Sequence, residues 1–275
     1  MYLEHFGLTE LPFGITPDTA YAFSSQSHQE ALNTLLVALG GGEGFVKITG
    51  EVGTGKTLLC RRLLQALPKN TVSAYLPNPF MAPRTLMLAI AEELGLAVMP
   101  TTDDYYLLQR LNLALLEIAR GGRNVVLCID EAQAMPLETL EALRLLSNLE
   151  TEKRKLLQIV LFGQPELDEK LVMPSVRQLL QRIAFHYRLQ GISRKEITLY
   201  LTHRLRVAGY RYEGLFSGGS IRALYRASRG TPRLVNILAH KALLAAFGEG
   251  RHLVKARHVR KAAKDTEGAR SPGWW

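Results

Sequence analysis

Short apolar runs alternate with longer amphipathic segments between about residue 27 and residue 190. The short runs predict β-strands, because they are rich in β-branched and aromatic residues and are bounded by turn residues. The longer segments carry apolar side chains at helical spacing, and several begin with a capping residue, such as Ser27 or Asp103, or with Pro136 in the first turn. The predicted strands are residues 44–49, 72–76, 124–129, 157–162 and 185–189.

Strands that alternate with helices predict a parallel sheet covered by helices, since each parallel pairing needs a crossover connection. The run NVVLCI, residues 124–129, is apolar on both alternating faces, which is typical of an interior parallel strand. After Ser193 the β-type runs stop, and four amphipathic segments separated by Gly-containing turns predict helices. The predicted fold class is therefore α/β, with a three-layer α/β/α parallel sheet followed by a small all-helical domain.

The composition is that of an ordinary globular protein, with 275 residues of which 47% are hydrophobic and 21% are charged. The sequence contains no run of 18 apolar residues, so no membrane span is predicted. The opening MYLEHFGLTELPFG has neither the basic region nor the apolar region of a secretory signal. Cys60 and Cys128 lie within apolar stretches and are predicted to be buried, reduced thiols of a cytoplasmic protein.

The charge changes sharply near residue 190. Residues 1–190 contain 17 Lys/Arg and 20 Asp/Glu, a net charge of −3, whereas residues 191–264 contain 16 Lys/Arg and 3 Asp/Glu, a net charge of +13. This step predicts an α/β domain over residues 1–190 and a basic helical domain over 191–264 that meets an acidic partner. Residues 265–275, which end in two tryptophans, are predicted to be a disordered tail, either a solvated end or a docking signal.

The segment GEVGTGKT fits the phosphate-binding pattern G-x-x-x-x-G-K-[ST], and it follows a predicted strand and opens a predicted helix. Its glycines allow backbone N–H groups to turn toward phosphate oxygens at the positive end of the following helix. The lysine would reach the β and γ phosphates, and the threonine hydroxyl would hold Mg²⁺. The predicted nucleotide contacts are Gly50, Glu51, Val52, Gly53, Thr54, Gly55, Lys56, Thr57 and Leu58.

Polar residues also follow two other predicted strands. Asp130 ends the strand 124–129, where it can complete the Mg²⁺ site, and Glu131 is placed to polarise an attacking water. Gln164, after the strand 157–162, either orients this water or senses the γ-phosphate; alternatively it is only part of a helix N-terminal turn before Pro165. The adjacent pair of acids favours hydrolysis over simple nucleotide binding.

Three arginines are candidates for contacts with the nucleotide. Arg177 and Arg182 lie near a helix end before a strand, where a guanidinium can reach a nucleotide on a neighbouring subunit. Arg182 is favoured because it is nearer the strand; the alternative for both is a solvated or salt-bridged helix face. Arg233 lies in the first turn of a basic-domain helix and could fold over the phosphates. Asn78 either restrains Glu131 or simply forms a turn in PNPF.

Together these motifs resemble the AAA+ ATPases, and more narrowly the branch of the ExeA-type general secretion ATPase, its MSHA (mannose-sensitive haemagglutinin) pilus-biogenesis relatives and the TniB-type transposition ATPases. The resemblance spans nearly the whole chain. It rests on FGLTELPFGITPDTAYAFSSQSHQEAL, GEVGTGKT, DEAQ, LFGQPEL, the arginine of LLQRI and the arginine of GTPRLVNIL.

The resemblance implies ATP and Mg²⁺ as ligands and roles for several residues. Gln164 would be the first sensor, Arg182 or Arg177 the arginine acting on a neighbouring subunit, and Arg233 the second sensor. Residues 13–28 would surround the adenine, with contacts from Phe13, Tyr21 and Phe23. Two features depart from the family: the first sensor is Gln rather than Asn or Thr, and the secretion ATPase continues into a membrane span and a peptidoglycan-binding domain. A cytoplasmic location, peripheral at the inner membrane, is therefore expected.

Two functional hypotheses follow from the resemblance and the charge. The first is an oligomeric ATPase that supports assembly of a type IV (MSHA-type) pilus or secretion system, with assembly proteins as partners. Its basic domain would contact anionic lipid headgroups or an acidic protein. The alternative is a DNA-binding ATPase of transposition. The first is favoured because no aromatic residues interleave the basic helices and no recognition helix is evident; a solvated basic face also remains open.

Overall fold

Strands and helices alternate along most of the chain in the computed structural model, which describes residues 2–16, 18–99, 101–151 and 154–270. Within these residues, no helix combines the length and the apolar content that crossing a bilayer requires. The strands are β1 (Phe45–Thr49), β2 (Thr71–Leu76), β3 (Asn124–Ile129), β4 (Glu150–Thr151), β5 (Arg154–Lys155), β6 (Gln158–Gly163) and β7 (Ile183–Arg188). The helices are α1 (Tyr2–Phe6), α2 (Gln26–Gly40), α3 (Lys56–Ala66), α4 (Pro83–Glu93), α5 (Asp104–Arg120), α6 (Leu137–Leu146), α7 (Glu166–Leu171), α8 (Arg177–Leu180), α9 (Ile197–Val207), α10 (Gly218–Ser228), α11 (Pro232–Gly248) and α12 (Ala256–Lys264).

Five strands form one parallel sheet in the order β2-β3-β6-β1-β7. Every pairing is parallel, so the carboxyl ends of β1, β3 and β6 meet at one edge of the sheet. In register, Thr49 of β1 lies beside Gly163 of β6, and Ile129 of β3 lies beside Leu161. Ligands of open parallel sheets bind outside this edge. The fold class predicted from the sequence is confirmed.

Both faces of the sheet are covered by helices, which makes three layers. One face packs on buried side chains of α4, α5, α6 and α8, and the other packs on buried side chains of α2 and α3. Cys60 and Cys128 are fully buried within the second of these layers, as the sequence predicts. A hydrogen bond with Cys128, together with burial, raises the pKa of the Cys60 thiol far above its ordinary value.

The five predicted strands are all present, with ends that differ by one or two residues. The largest shift is in β7, which spans Ile183–Arg188 rather than residues 185–189. The structure also contains a short antiparallel pair that is not predicted from the sequence, β4 and β5, in which Glu150 lies opposite Lys155. Each of these strands has only two residues, which is too short to show hydrophobic periodicity, so the pair cannot be predicted from the sequence pattern.

The chain divides into two compact units. The sheet unit contains residues 30–51 and 59–189, and the helical unit contains residues 1–29, 52–58 and 190–275. The four helices predicted after Ser193 are α9 to α12, and their shared core also takes in Tyr2, Phe6 and Phe13. The first 29 residues thus cluster with the helices that follow residue 190.

The start of the predicted disordered tail packs on the helical unit. The Lys241 ammonium hydrogen-bonds the Asp265 carboxylate at 2.9 Å, and the Arg270 N–H donates to the Ala227 carbonyl at 2.9 Å. Ala269 packs against the core. Residues 265–270 thus make contacts within the helical unit; the two tryptophans lie outside the described residues, and disorder of the tail stays a prediction.

An ion pair with one buried partner joins β1, an interior strand of the sheet, to α7. The Lys47 side chain is only 5% exposed, and its ammonium binds the Asp168 carboxylate, which is 38% exposed. Removing one partner of a buried pair leaves an uncompensated charge, which is costly. We expect Asp168→Ala to lower the free energy of unfolding by about 3 kcal/mol, measured by urea denaturation.

We expect the decrease in the free energy of unfolding to come from the buried Lys47 ammonium that has lost its partner, rather than from the absence of the carboxylate itself. Adding Lys47→Met to Asp168→Ala should therefore recover most of the loss, because the apolar side chain needs no partner. Glu169→Ala, at an exposed neighbouring position of α7, provides the matched control and should change little. An equal loss in the single and double variants would contradict this explanation.

Candidate functional site

The phosphate-binding loop connects β1 to α3. Gly50 extends the strand, since its N–H donates to the Gly163 carbonyl of β6 at 3.1 Å. Helix α3 begins at Lys56, so the positive end of the helix faces the loop. Lys56 is only 5% exposed, and Thr54 is also buried, whereas Glu51 and Val52 are exposed. Thr57 and Leu58 continue the first turn of α3 and are partly buried.

Two glycines give the loop its shape. Gly53 and Gly55 have φ angles of 78° and 97°, which residues other than glycine rarely adopt. A Cβ atom at Gly53 would lie 2.5 Å from the Cβ of Arg233. A Cβ atom at Gly55 would lie 2.8 Å from His28 Nε2. The backbone curvature and the buried lysine fit a polyphosphate, because backbone amide groups and a cation are the groups that bind phosphate oxygens.

Two side chains of the helical unit lie against this loop. The Arg233 N–H, in the first turn of α11, donates to the Gly53 carbonyl at 3.2 Å. His28 is 5% exposed, and its Nδ1 lies 2.7 Å from the Ser25 hydroxyl. The structure thus places Arg233 at the phosphate loop, where the sequence predicts it. The position of His28 at Gly55 was missed, because a histidine within a segment predicted to surround adenine gave no signal of its own.

The acidic pair lies at the carboxyl end of β3, at the edge described above. The Asp130 N–H donates to the Leu76 carbonyl at 2.9 Å, which extends the ladder between β2 and β3, and the Asp130 side chain is buried. Glu131 has a left-handed backbone, with φ 53° and ψ 37°, and its N–H donates to Asp130 Oδ1 at 3.0 Å. A non-glycine residue costs about 1–3 kcal/mol in this conformation, and such strain is typical of functional sites.

Two glutamines hold the Glu131 carboxylate. Gln164 follows β6, and its side-chain amide donates to Glu131 Oε2 at 3.1 Å. The side-chain amide of Gln133 donates to the same oxygen at 2.6 Å. The structure therefore brings Gln164 to the acidic pair, as the sequence analysis expects of a residue at this strand end. Gln133 was missed, although it is the last residue of the DEAQ motif and lies two residues after Glu131.

The contacts of Asn78 are those of a turn residue, which is one of the two alternatives predicted for it from the sequence. Its side-chain oxygen accepts from the Phe80 N–H at 3.3 Å, which is a turn contact. Restraint of Glu131 comes from Gln133 and Gln164 within the described residues.

Arg177 and Arg182 have different environments at α8. The Arg182 guanidinium donates to the Ser147 hydroxyl at 2.5 Å and to the Arg144 carbonyl at 3.3 Å, so it is fixed within the sheet unit. The Arg177 side chain is exposed, and within the described residues it forms neither a hydrogen bond nor an ion pair; only its backbone is bonded, with the N–H donating to the Met173 carbonyl at 2.9 Å. The contacts thus give Arg177 the greater freedom to reach another molecule, although the sequence analysis favoured Arg182.

The N-terminal segment is attached to the helical unit by buried polar groups. The Arg204 guanidinium donates to the carbonyls of Pro12 and Gly14 at 2.6 and 3.2 Å, and it lies over the Tyr21 ring at 4.7 Å. Phe13 is 3% exposed and packs edge-on against Phe216. The Phe13 ring therefore contributes to the core of the helical unit, and its contact with adenine stays a prediction.

Comparisons with known proteins agree with this geometry. Residues 39–171 match the family model of the AAA domain. General secretion pathway protein A of Aeromonas hydrophila is 44% identical over 279 residues, which cover 100% of this chain and 50% of that protein. The chain thus spans about half the length of this relative.

Solved structures show the same fold at low sequence identity. Cdc6p from Pyrobaculum aerophilum has a TM-score of 0.67 at 19% identity, covering 91% of this chain and 71% of that one. The Aeropyrum pernix ORC2 protein has a TM-score of 0.65 at 17% identity, covering 93% and 73%. The Thermotoga maritima RuvB Holliday junction branch migration motor has a TM-score of 0.58 at 17% identity, covering 90% and 73%. The chain therefore shares the α/β fold of these proteins.

Proposed function

We propose that this chain is an ATPase related to general secretion pathway protein A, and that it acts in assembly of a secretion system or type IV pilus. The observation that carries the activity is the orientation of Glu131, which follows Asp130 at the carboxyl end of β3 and has its Oε2 atom fixed by two amides. A carboxylate held this way at the ligand edge of the sheet suits polarisation of a water molecule. The 44% identity to the secretion protein supports the cellular role.

The binding residues divide between phosphate and metal. The N–H groups around Gly53 and Gly55 and the Lys56 ammonium bind the triphosphate, and Arg233 contacts it from α11. The Thr57 hydroxyl and the Asp130 carboxylate are oxygen donors of the kind that Mg²⁺ prefers. Magnesium, when bound, supplies neutralisation of the phosphate charge.

Glu131 and Gln164 act on the water. Glu131 orients the water and accepts its proton as the oxygen approaches the γ-phosphate. Gln164 lies at the end of the adjacent strand. It restrains the Glu131 carboxylate and acts as the first sensor, which responds to the γ-phosphate. No covalent intermediate with a protein side chain is needed for this reaction.

An arginine from a neighbouring subunit completes the site, so the active form is a homo-oligomer. We propose Arg177 for this task, because Arg182 is already bonded to Ser147 and to the carbonyl of Arg144. A guanidinium supplied in this way stabilises the charge that develops on the transferred phosphoryl group.

More specifically, the proposed role is ATP hydrolysis in MSHA-type pilus biogenesis, as in the ATPase MshM, at the cytoplasmic side of the inner membrane. The sequence stretches EAQAMPLETLEALRLLSNLETEKRKLLQIVLFGQPEL and HRLRVAGY support this assignment through their resemblance to that protein. Assembly proteins of the pilus or secretion system are the proposed partners.

A basic face on the helical unit supports a location at the membrane. Helix α12 is amphipathic: His258, Val259, Ala262 and Ala263 are buried. Its exposed positions are all cationic, and two arginines of α10 are also exposed. Exposed cations at a cytoplasmic surface bind anionic phospholipid with about 1 kcal/mol each. We define the basic face as Arg222, Arg260, Lys261 and Lys264; Arg257 of α12 is excluded because its guanidinium is ion-paired with Glu249.

We expect the protein to sediment with vesicles that contain phosphatidylglycerol and to bind vesicles of phosphatidylcholine alone weakly. Replacing Arg260, Lys261 and Lys264 by Gln should weaken this binding about 100-fold, since three cations are removed. Replacing Arg110, Arg120 and Arg123 by Gln is the matched control, because it removes the same charge from exposed positions of the sheet unit.

Duplex DNA provides the competing outcome. With Glu131→Gln used to retain ATP, binding should be measured over a salt titration in the presence of Mg²⁺. Tight, ATP-dependent binding that falls steeply with salt would favour a transposition-type ATPase instead. In the vesicle experiment, an equal loss of binding in the two triple-Gln variants would show that the basic face is not the membrane-binding surface.

A further inference from the structure

The side chain of Gln133 connects the two strand ends of the site. Its Nε2 donates to Glu131 Oε2 at 2.6 Å, and its Oε1 accepts from the Gln164 N–H at 2.9 Å. The orientation of the amide follows from these partners, since a backbone N–H can only donate and a carboxylate can only accept. One side chain thus contacts the residue after β3 and the residue after β6.

The backbone of Gln133 is also held in place. The Lys170 ammonium of α7 donates to the Gln133 carbonyl at 2.5 Å and to the Met135 carbonyl at 2.9 Å. Gln133 lies in a short 3-10 turn, and Ala132 within that turn is fully buried. The amide of Gln133 is therefore presented from a fixed backbone, as a group that orients another side chain should be.

Only one oxygen of Glu131 is engaged by these contacts. Both glutamine amides bind Oε2, and within the described residues Oε1 has no hydrogen-bond partner. Two donors on one carboxylate oxygen restrict rotation about the terminal side-chain bond and direct the second oxygen away from them. This arrangement leaves Oε1 for a ligand outside the protein.

We propose that Gln133 is a positioning residue for ATP hydrolysis: it fixes Glu131 Oε2, presents Oε1 to the attacking water and links this orientation to Gln164. The inference rests on the proposed ATPase function and adds to it a group that touches neither nucleotide nor water. Gln164 and Gln133 then act as one unit, because each contacts Glu131 and they contact each other.

Steady-state ATP hydrolysis by Gln133→Leu tests this role. We expect kcat to fall about 10- to 100-fold while KM changes less than about twofold, because small displacements of a reacting group reduce the rate without removing binding contacts. Gln133→Glu has the same shape, keeps an acceptor for the Gln164 N–H and replaces the donor by a second carboxylate. Gln133→Glu should lose at least as much activity as Gln133→Leu. Because Gln133→Glu preserves the size of the side chain, this result would show that the loss in the leucine variant does not come from altered packing. Gln109→Leu, at an exposed position of α5, is the control for the substitution itself.

The background of Glu131→Gln separates positioning from a general structural effect. Once the carboxylate is gone, adding Gln133→Leu should lower kcat no further, because the two residues act through the same group. A further fall of tenfold or more in the double variant would overturn the proposal, and so would wild-type or increased kcat in Gln133→Leu. Wild-type turnover by Glu131→Gln alone would instead overturn the hydrolytic role of Glu131, so the two failures are distinguishable.

Discussion

Lys56→Ala is expected to weaken binding of ATP about 100-fold or more and to remove measurable hydrolysis. Lys56 is 5% exposed at the first turn of α3, next to the two glycines that curve the predicted phosphate loop. Hydrogen bonds to charged groups contribute about 1.5–3 kcal/mol each, so losing two contacts to phosphate oxygens corresponds to this decrease. Titration with a fluorescent ATP analogue measures the affinity, and phosphate release measures the turnover.

The matched control for this change is Lys69→Ala, which removes a lysine from an exposed position just before β2. It should bind and hydrolyse ATP as the unchanged protein does. Thermal unfolding without nucleotide should be similar for both variants and the unchanged protein. An affinity of Lys56→Ala within about threefold of the unchanged protein would contradict the assignment of the loop as the phosphate site.

Glu131→Gln is expected to bind ATP with nearly unchanged affinity and to hydrolyse it about 100- to 10,000-fold more slowly. The substitution keeps the size of the side chain but removes the group that accepts the proton of the water, and general bases contribute rate factors of this size. Single-turnover measurements distinguish slow chemistry from slow release of product. Loss of ATP binding in this variant would show that the carboxylate serves binding rather than the reaction.

Mixing subunits extends this result to the arginine. Arg177→Ala alone should be inactive, since an arginine supplied to a neighbouring site contributes about 10³–10⁵ to the rate. When it is mixed with Glu131→Gln subunits, sites that combine Glu131 of one subunit with Arg177 of another should recover turnover. Arg182→Ala in the same mixture is the comparison, and recovery there but not with Arg177→Ala would return the role to Arg182.

The positions of the five main strands along the chain could be predicted because each strand has a strong local signal, whereas their order in the sheet was not predicted. Apolar runs such as residues 124–129 need to be buried on both faces, and this requirement is visible in the sequence alone. The predicted phosphate loop was equally visible in the sequence, because its glycines and lysine are adjacent in the chain and match a spacing typical of phosphate-binding loops.

The restraints on Glu131 and on the arginines could not be inferred from spacing. Gln133 and Gln164 are 31 residues apart in the sequence and meet only because β3 and β6 are neighbours in the sheet. Likewise, Ser147 fixes Arg182 through a contact between residues 35 apart. Such long-range hydrogen bonds depend on the packed structure, and the residue types alone leave many partners open.

The attachment of Arg233 to Gly53 has a consequence for regulation. The loop residues 52–58 cluster with the helical unit, and the Arg233 N–H bonds directly to the Gly53 carbonyl. A mechanical load on α11 would therefore act on the same backbone that we propose to bind the phosphates. By thermodynamic reciprocity, a partner whose affinity rises tenfold when nucleotide binds must raise nucleotide affinity tenfold in return. The helical unit would then serve as a transducer in both directions, reporting the nucleotide to its partner and the partner to the nucleotide.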